Sequence, residues 1–174
     1  MKAASPKLLI LTGPVHSGKT SLLLDICAEV RRRGLPVDGY LSPAVWSEGG
    51  RSGYDLYILP DGPSLPFLRT GRERGRLRVG PYAVDPEGLE RARRTIRTAS
   101  GPAPLVVDEV GPLELGGEGV WPAVEEVLAR RPERLVLVIR DTLLDGFLAR
   151  IKPGIGIHVL GIGDRPALAV ALGL

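Results

Sequence analysis

The clearest chemistry in this chain is carried by one segment, Gly13-Pro-Val-His-Ser-Gly-Lys-Thr20, which has the spacing G-x-x-x-x-G-K-[ST] of a phosphate-binding loop. Glycines let the backbone of such a loop curl, so that successive N–H groups point at phosphate oxygens. The Lys19 ammonium would reach the β- and γ-phosphates, and the Thr20 hydroxyl would ligate Mg²⁺. The segment predicts that a nucleoside triphosphate is bound by Gly13, Pro14, Val15, His16, Ser17, Gly18, Lys19 and Thr20.

An acidic pair, Asp108-Glu109, is the second feature with chemical meaning, because it follows the apolar run Leu105-Val106-Val107. In open α/β sheets, ligands bind at the carboxyl ends of the strands. We expect Asp108 to hold Mg²⁺ through a water molecule, and Glu109 to polarise a water that attacks the γ-phosphate. An apolar run followed by Asp-Glu is a weak pattern by itself. Together with a phosphate-binding loop, it predicts a site that cleaves a triphosphate.

Other polar residues are weaker candidates. His16 occupies a free position of the loop pattern, so we expect it to face solvent rather than take part in catalysis. Arg51 could reach a phosphate, although a salt bridge at the rim is the simpler interpretation. Trp46 is expected to pack structurally rather than stack on a base. Arg140-Asp141 follows another apolar run, and either residue could lie near the γ-phosphate.

The hydrophobic pattern places both motifs on alternating strands and helices. The expected strands are 7–12, 105–110, 135–139 and 155–160, and the expected helices are 20–33, 86–99, 120–131, 142–151 and 165–172. The strands are apolar on both faces, which is typical of a parallel sheet covered by helices on both sides. The sequence therefore predicts a three-layer α/β fold with a mainly parallel central sheet.

Antiparallel hairpins are expected to interrupt this alternation at about residues 37–84. The turn-forming residues Ser47-Glu-Gly-Gly50 join the first two extended segments of this stretch. Residues 65–70 and 76–79 could pair as a second hairpin. We interpret the stretch as a hairpin insertion within a single domain that spans residues 1–174.

Four motifs occur in an order that is typical of one known family: the loop G-P-V-H-S-G-K-T, G-Y-D-L at 53–56, R-V-G-P-Y-A-V at 78–84 and V-V-D-E-V-G-P-L-E-L at 106–115. On these motifs, nearly the whole chain resembles the thermophile-type nucleoside-triphosphatase family, which includes the cancer-related nucleoside triphosphatase. The resemblance implies a P-loop fold and slow, Mg²⁺-dependent hydrolysis of several nucleoside triphosphates to diphosphate and phosphate. It also implies a catalytic glutamate, here Glu109, beside the metal-binding Asp108. Lys19 would stabilise the charge that develops during phosphoryl transfer.

The resemblance also bears on strand order and on base recognition. An adjacent Asp-Glu pair is typical of P-loop enzymes that insert a strand between the two motif strands. We therefore expect the strand at 135–139 to lie between those at 7–12 and 105–108. After its last strand, the family tends to have Asn-Arg where this chain has Asp164-Arg165. Because that loop follows the carboxyl end of a parallel strand, we expect both residues to bind the nucleotide, at its base.

Composition narrows the remaining function classes. The chain has 174 residues, 44% of them hydrophobic and 25% charged, which is typical of a single globular domain. Its one cysteine, Cys27, excludes an intramolecular disulfide. No apolar stretch approaches the roughly 20 residues of a membrane span, and we expect a cytoplasmic location. Nine arginines and four acidic residues within 69–97 predict a solvated, salt-bridged face, so no nucleic-acid partner is expected.

Two alternatives to hydrolysis remain open. A kinase could use the same triphosphate site, with the insertion binding a hydroxyl-bearing or nucleotide acceptor. A nucleotide-dependent nucleic-acid switch could use the arginines of 69–97. Against it, Tyr82 is the one aromatic residue in that stretch that could stack on a base. A Ras-type GTPase is disfavoured, because its Asn-Lys-x-Asp motif needs an asparagine and this chain has none. The sequence leaves the oligomeric state open.

Overall fold

The computed structural model of the protein describes residues 8–71, 77–130 and 132–174. Its strands are β1 (Leu8–Gly13), β2 (Asp38–Leu41), β3 (Ala44–Ser47), β4 (Gly50–Ile58), β5 (Ser64–Arg69), β6 (Arg78–Val79), β7 (Tyr82–Val84), β8 (Leu105–Val110), β9 (Leu135–Arg140) and β10 (Ile157–Leu160). Its helices are α1 (Lys19–Arg32), α2 (Pro86–Thr98), α3 (Pro112–Leu115), α4 (Trp121–Arg130), α5 (Leu144–Arg150) and α6 (Arg165–Ala171). The strand and helix that flank the phosphate-binding loop end within one residue of their expected bounds.

The described strands form one sheet in the order β10-β1-β9-β8-β2-β4-β5-β7-β6, with β3 paired to β4. The five strands from β10 to β2 pair in parallel. The strands beyond β2 pair antiparallel. β9 lies between β1 and β8, which confirms the expected order of the two motif strands.

Two hydrophobic cores, one on each face of the sheet, hold the helices in place. α1 and α6 contribute Leu23 and Leu168 to one core, and α2 contributes Ile96 to the other. Successive side chains of a strand point to opposite faces, and in β1 Ile10 and Leu11 accordingly belong to different cores. This arrangement confirms the three-layer α/β fold with a mainly parallel sheet. Among the described residues, no helix is long and apolar enough to cross a membrane.

The insertion differs from its expected form in two ways. β2 pairs in parallel with β8, so it belongs to the parallel part of the sheet, and the antiparallel part starts after it. β5 pairs with β7 rather than with β6, so the second hairpin was wrongly predicted. The reason is Gly80-Pro81, which turns the chain between β6 and β7 and returns β7 along β5. The expected segment began at Arg76, which lies outside the described residues.

The close pairing of β2 with β8 depends on a glycine at position 39. Gly39 has φ +108°, a backbone conformation that residues with a side chain rarely adopt. A Cβ added there would lie 1.9 Å from the carbonyl oxygen of Val106. That oxygen belongs to the backbone of β8 and cannot move aside without disturbing the sheet. Gly39 therefore allows β2 to lie beside the strand that carries the acidic pair.

Gly39→Ala is expected to lower the free energy of unfolding by more than about 2 kcal/mol, because backbone strain and a steric clash act together. Gly34→Ala is the matched control: Gly34 also has a positive φ, +66°, but no atom lies within 4 Å of an added Cβ. The control should cost about 1 kcal/mol. Urea denaturation measures both changes. Equal losses in the two variants would show that the proximity of β8 does not restrict residue 39.

Candidate functional site

The phosphate-binding loop lies between the end of β1 and the start of α1, at the carboxyl edge of the parallel strands. Two residues in the left-handed region, His16 at φ +63° and Gly18 at φ +90°, give the loop its curl. α1 has 14 residues and begins at Lys19, so the positive end of its dipole points at the loop. The curled loop and the start of α1 therefore form a backbone arrangement that suits an anion.

Lys19 bends over the loop. Its Nζ donates hydrogen bonds to the carbonyl oxygens of Gly13, at 2.9 Å, and Pro14, at 2.6 Å. Lys19 is 8% exposed, and its burial lowers the pKa of the ammonium, although the charges of Glu109 and Asp108 oppose that shift. The loop thus holds a cation at the place where the β- and γ-phosphates of a nucleotide would lie.

A β-bulge in β8 positions the two acids. Val107 lies opposite Leu137 of β9, but Val110 lies opposite Ile139, so β8 carries one extra residue here. Within the bulge, Glu109 has φ +62°, which costs a non-glycine residue about 1 kcal/mol or more. The bulge breaks the alternation that would otherwise send successive side chains to opposite faces of the sheet. Strain of this kind is concentrated at functional sites.

Asp108 is fully buried beneath the loop. Its carboxylate accepts hydrogen bonds from the backbone N–H groups of Ser42, at 3.0 Å, and Glu109, at 2.9 Å. The Thr20 hydroxyl donates a third hydrogen bond to it. Burial raises the pKa of Asp108 to about 7, and the charge of Glu109 adds to the increase, whereas the three hydrogen bonds oppose it.

Thr20 and Asp108 together fit a magnesium ion, because a hydroxyl and a carboxylate are the hard oxygen ligands that Mg²⁺ prefers. The described residues contain no group of three or more His, Cys, Asp or Glu side chains that could hold a metal. Mg²⁺ usually takes only one or two protein ligands and completes its shell with water and phosphate oxygens. The donor set therefore suits an ion that binds together with a nucleotide.

Glu109 faces the cavity above the loop, with 27% of its side chain exposed. The partial burial of Glu109 raises the pKa of its carboxyl group, while the positive charges of Arg140 and Lys19 act against the increase. A guanidinium nitrogen of Arg140 lies 3.8 Å from the Glu109 carboxylate. Arg140, the last residue of β9, is thus at the site, as expected for one of the two residues that follow the apolar run 135–139. Asp141, the other residue that was expected near the γ-phosphate, is exposed and begins the next helical turn.

Arg51 lines the site and makes no salt bridge with another described residue, which corrects the simpler expectation of a salt bridge at the rim. Its guanidinium contacts Nε2 of His16 in the loop and donates to the Tyr54 hydroxyl at 3.1 Å. The guanidinium carbon also lies 4.9 Å from the centre of the Trp46 ring, an arrangement that favours a cation–π interaction. Within the described part of the chain, the buried Nε has no hydrogen-bond partner. His16 is exposed, as expected, but it serves as a contact for Arg51.

A cavity of about 370 Å³ joins these groups. It is lined by loop and α1 residues from Val15 to Ser21, by Leu24, by Ser42, Pro43, Ala44, Trp46, Arg51 and Tyr54, and by Glu109, Val110, Val138 and Arg140. The structure therefore brings Val15 to Thr20 of the predicted loop and Glu109 together around one space, whereas Gly13, Pro14 and Asp108 do not line it. Trp46 is 66% exposed at its edge, so the expectation of simple structural packing does not hold for this side chain.

Asp164 and Arg165 do not line this cavity. The Asp164 carboxylate accepts a hydrogen bond from the Gly161 N–H at 2.8 Å and so closes its own loop. Arg165 lies 3.8 Å from the carboxylate of Asp25 on α1. Both residues are exposed, and their contact with a nucleotide base stays a prediction.

Two contributions to the site could not be foreseen from the sequence. Ser42 bonds Asp108 through its backbone N–H across 66 positions of the chain, and no side-chain pattern marks such a contact. Tyr54 bonds Arg51, although its motif G-Y-D-L was noted only as part of the family resemblance. The hairpin turn at residues 47–50 is the one local feature that could have indicated that β3 and β4 carry residues into the site.

The fold and the site together define the class of P-loop nucleoside-triphosphatases: a phosphate-binding loop, a buried acid beside it and a second acid that lines the same cavity. Comparisons with known proteins give the family. The NTPase family model matches residues 8–170, and the chain belongs to that family. The resemblance predicted from the motifs is thereby confirmed.

Three relatives illustrate this membership. The chain is 32% identical over 159 residues to the nucleoside-triphosphatase THEP1 of Archaeoglobus fulgidus, which spans 91% of this chain and 92% of that protein. The solution structure of a human cancer-related nucleoside triphosphatase matches with a TM-score of 0.70 and 28% identity, over 96% of this chain and 97% of that one. The crystal structure of THEP1 from Aquifex aeolicus shares the fold, with a TM-score of 0.65 and 21% identity over 96% of this chain and 99% of that one.

Asp108→Asn should change the pH dependence of stability. The pKa of Asp108 is about 7 in the folded protein, against an ordinary value of 3.8. Between these values the folded state keeps a proton that the unfolded chain has lost. The stability contributed by this group is therefore complete below the ordinary pKa and is lost as the pH rises toward about 7.

In Asp108→Asn, the side-chain amide does not take up or release this proton. Its free energy of unfolding, minus that of wild type, should therefore increase with pH through this window, by at most about 1.4 kcal/mol per pH unit. Urea denaturation of both proteins without metal, at several pH values inside the window, measures the difference. A difference that stays constant or decreases would contradict the raised pKa of Asp108.

Proposed function

We propose that this nucleoside-triphosphatase cleaves the bond between the β- and γ-phosphates by direct attack of water, with Glu109 as the general base. The observation that carries the proposal is the position of the Glu109 carboxylate. It lines the phosphate cavity within electrostatic reach of Lys19 and Arg140. In the reaction, a water oxygen bonds to the γ-phosphorus, the bond to the β–γ bridging oxygen breaks, and Glu109 takes the proton. The products are a nucleoside diphosphate and phosphate.

Binding of the nucleotide depends on the loop. Backbone N–H groups between Gly13 and Thr20, together with the positive end of α1, would surround the phosphate oxygens. Lys19 is already held in the loop by two carbonyl oxygens, so little side-chain freedom remains to be lost when phosphate arrives. The ammonium then stabilises negative charge on the β–γ oxygens as the bond breaks.

Magnesium would be held by the Thr20 hydroxyl and by Asp108, the latter through a water molecule. When bound, the ion neutralises charge on the phosphate oxygens. The Asp108 carboxylate keeps its place through the backbone N–H groups of Ser42 and Glu109. These bonds leave the Thr20 hydroxyl as the mobile partner that can exchange from the carboxylate to a cation.

The pKa of Glu109 supports the role of a base. A carboxyl group at its ordinary pKa is a weak base at neutral pH, and a raised pKa brings it closer to the optimum for proton transfer. Burial raises the pKa of Glu109, and Arg140 limits the increase, which keeps a reactive carboxylate available. The strained backbone of the bulge fixes its direction.

Arg51 is proposed to contact the γ-phosphate from the side opposite Lys19. It touches His16 of the loop, and its position is fixed by Trp46 and Tyr54. A planar guanidinium offers paired N–H donors that match phosphate oxygens. It would supply in cis the positive charge that some P-loop enzymes receive from an arginine of a partner.

The loop after β10 is proposed to contact the base. β10 pairs in parallel with β1, with Leu160 opposite Leu11, so Gly161–Arg165 follows at the same sheet edge as the phosphate-binding loop. Contact with a base would require Asp164 to exchange its bond to the Gly161 N–H.

No nucleic-acid partner is proposed. Within 69–97, Arg69 pairs with Asp55, and Arg97 pairs with Glu126. These bonds support the interpretation of a salt-bridged face. Three further arginines of this cluster, Arg72, Arg74 and Arg76, lie outside the described residues.

The function is tested by phosphate release from ATP, GTP, CTP and UTP with Mg²⁺ and no added acceptor. Hydrolysis predicts that each nucleotide yields phosphate and diphosphate. A strict kinase would release none, and that result would refute the proposal.

In the same assay, Glu109→Gln should lower the turnover number by about 10² to 10⁴-fold, the usual contribution of a positioned base. Its affinity for Mg²⁺–triphosphate should be kept, because the amide has nearly the same shape. Asp108→Asn should instead lose activity that high Mg²⁺ partly restores. If Glu109→Gln turns over at the wild-type rate, the base must be another residue.

Arg51→Ala should lower the turnover number by about 10²-fold, as does the loss of one donor to transition-state charge. Arg51→Lys should be intermediate, since it keeps the charge but not the paired N–H groups. Arg33→Ala is the control, because Arg33 is exposed on the last turn of the α1 region and pairs with Glu29. Steady-state kinetics of the three variants test the role of Arg51. A turnover number for Arg51→Ala equal to that of Arg33→Ala would remove Arg51 from the mechanism.

A further inference from the structure

A second cavity, of about 360 Å³, opens beside the first. The two cavities share the walls formed by Val15, His16, Arg51, Tyr54, Glu109 and Arg140. The second one extends away from the loop, between the insertion strands β5 to β7 and the segment that follows β8. The proposed base therefore faces two spaces, one that takes the triphosphate and one with no part in the hydrolysis described above.

The second cavity is chemically divided. Its far walls are apolar and include Phe67, Leu68, Val79, Tyr82 and Leu113. The rings of two wall residues, Tyr54 and Tyr82, meet edge to face with 5.4 Å between their centres. The charged groups Arg51, Glu109 and Arg140 lie at the end shared with the phosphate cavity. One further carboxylate, Glu114, lines only the second cavity, and it accepts hydrogen bonds from the backbone N–H groups of Gly111 and Val120. The lining therefore suits a ligand with an apolar body and a polar end directed at Glu109.

Hydrolysis alone does not need this space. A water molecule occupies about 30 Å³ of liquid, so the cavity is larger than one nucleophilic water by about a factor of ten. Its volume lies at the lower end of the range for small-molecule sites, about 300 to 1,000 Å³. Apolar walls also give a chain of waters few hydrogen-bond partners. Volume and lining both point to an organic ligand.

We do not expect the nucleobase of the triphosphate to occupy the second cavity. In a phosphate-binding loop, the lysine marks the β–γ end and the residues after it face the α-phosphate. Ser21 and Leu24 of α1 line only the first cavity. The shared wall of Glu109 and Arg140 therefore lies at the γ-phosphate end, and the second cavity lies beyond it.

We propose that the second cavity binds a small alcohol with an apolar, ring-bearing body and presents its hydroxyl to Glu109, so that the protein also transfers the γ-phosphate to that alcohol. The inference rests on the proposed role of Glu109 as base. The hydroxyl oxygen bonds to the γ-phosphorus, the bond to the β–γ bridging oxygen breaks, and the hydroxyl proton passes to Glu109. The products are a nucleoside diphosphate and a phosphate monoester.

The charged end suits this product. Arg51 and Arg140 line both cavities, so they can contact the phosphoryl group before and after transfer. The apolar walls disfavour polyols, because hydroxyl groups buried against them lose their hydrogen bonds to water without replacement, and both carboxylate oxygens of Glu114 already accept from backbone N–H groups. Water reacts at the same position when the cavity holds no alcohol.

The test uses the full chain with Mg²⁺ and ATP radiolabelled at the γ-phosphate. The probe is 2-phenylethanol, with glycerol at the same concentration as the polar comparison. Chromatography separates inorganic phosphate from labelled monoester. We expect 2-phenylethanol to capture label at least about tenfold more efficiently than glycerol.

Val79→Trp fills the apolar part of the cavity without touching a residue of the mechanism, and should abolish transfer to 2-phenylethanol while phosphate release to water continues. Val170→Trp introduces the same side chain on α6, where Val170 is 67% exposed, and should behave as wild type.

Each other outcome overturns the inference. Label found only in inorganic phosphate, with both alcohols, would show that water is the sole acceptor while leaving the hydrolytic mechanism intact. An increase in the KM for ATP in Val79→Trp that is absent from Val170→Trp would place the adenine ring of ATP in the second cavity. Absence of any labelled product would refute the hydrolytic mechanism itself.

Discussion

The removal of two adjacent carboxylates from water, Asp108 fully and Glu109 in part, is the constraint on which the rest of the site depends. Charge is costly to remove from water, and burial raises the pKa of both groups. The deeper acid accepts hydrogen bonds from the backbone N–H of Ser42, directly after β2, and from that of Glu109 in β8. Lys19 and Arg140 lie within electrostatic reach of the outer one. A divalent cation carried by a triphosphate would add positive charge beside this pair.

The sheet sets the distances around this pair. Because β9 lies between β1 and β8, the backbones of the two motif strands stand two strand spacings apart, roughly 10 Å. Arg140, at the end of β9, occupies the interval. The bulge in β8 then turns Glu109 toward the space between them. A site of this width has room for phosphates and for a nucleophile, and the insertion strands close its far side.

Much of this arrangement could be predicted, because the residues concerned act through local patterns. The loop pattern with its flanking strand and helix located the phosphate site, and the acids after an apolar run located Asp108 and Glu109. What failed depends on contacts distant in sequence. Arg51 looked like a surface arginine, since the rings that hold it are recognisable only once β3 and β4 are paired. The parallel pairing of β2 was missed because a single glycine at position 39 permits it, and the second cavity has no local pattern at all.

We propose that Mg²⁺ and triphosphate together complete the acidic pair. Thermal unfolding of the full chain with ATP alone, Mg²⁺ alone and both measures this directly, because a ligand raises Tm according to its affinity for the folded state. We expect both together to raise Tm by more than the sum of their separate effects, and we expect Asp108→Asn to lose this excess. An equal rise with ATP alone, or an excess that survives in Asp108→Asn, would contradict it.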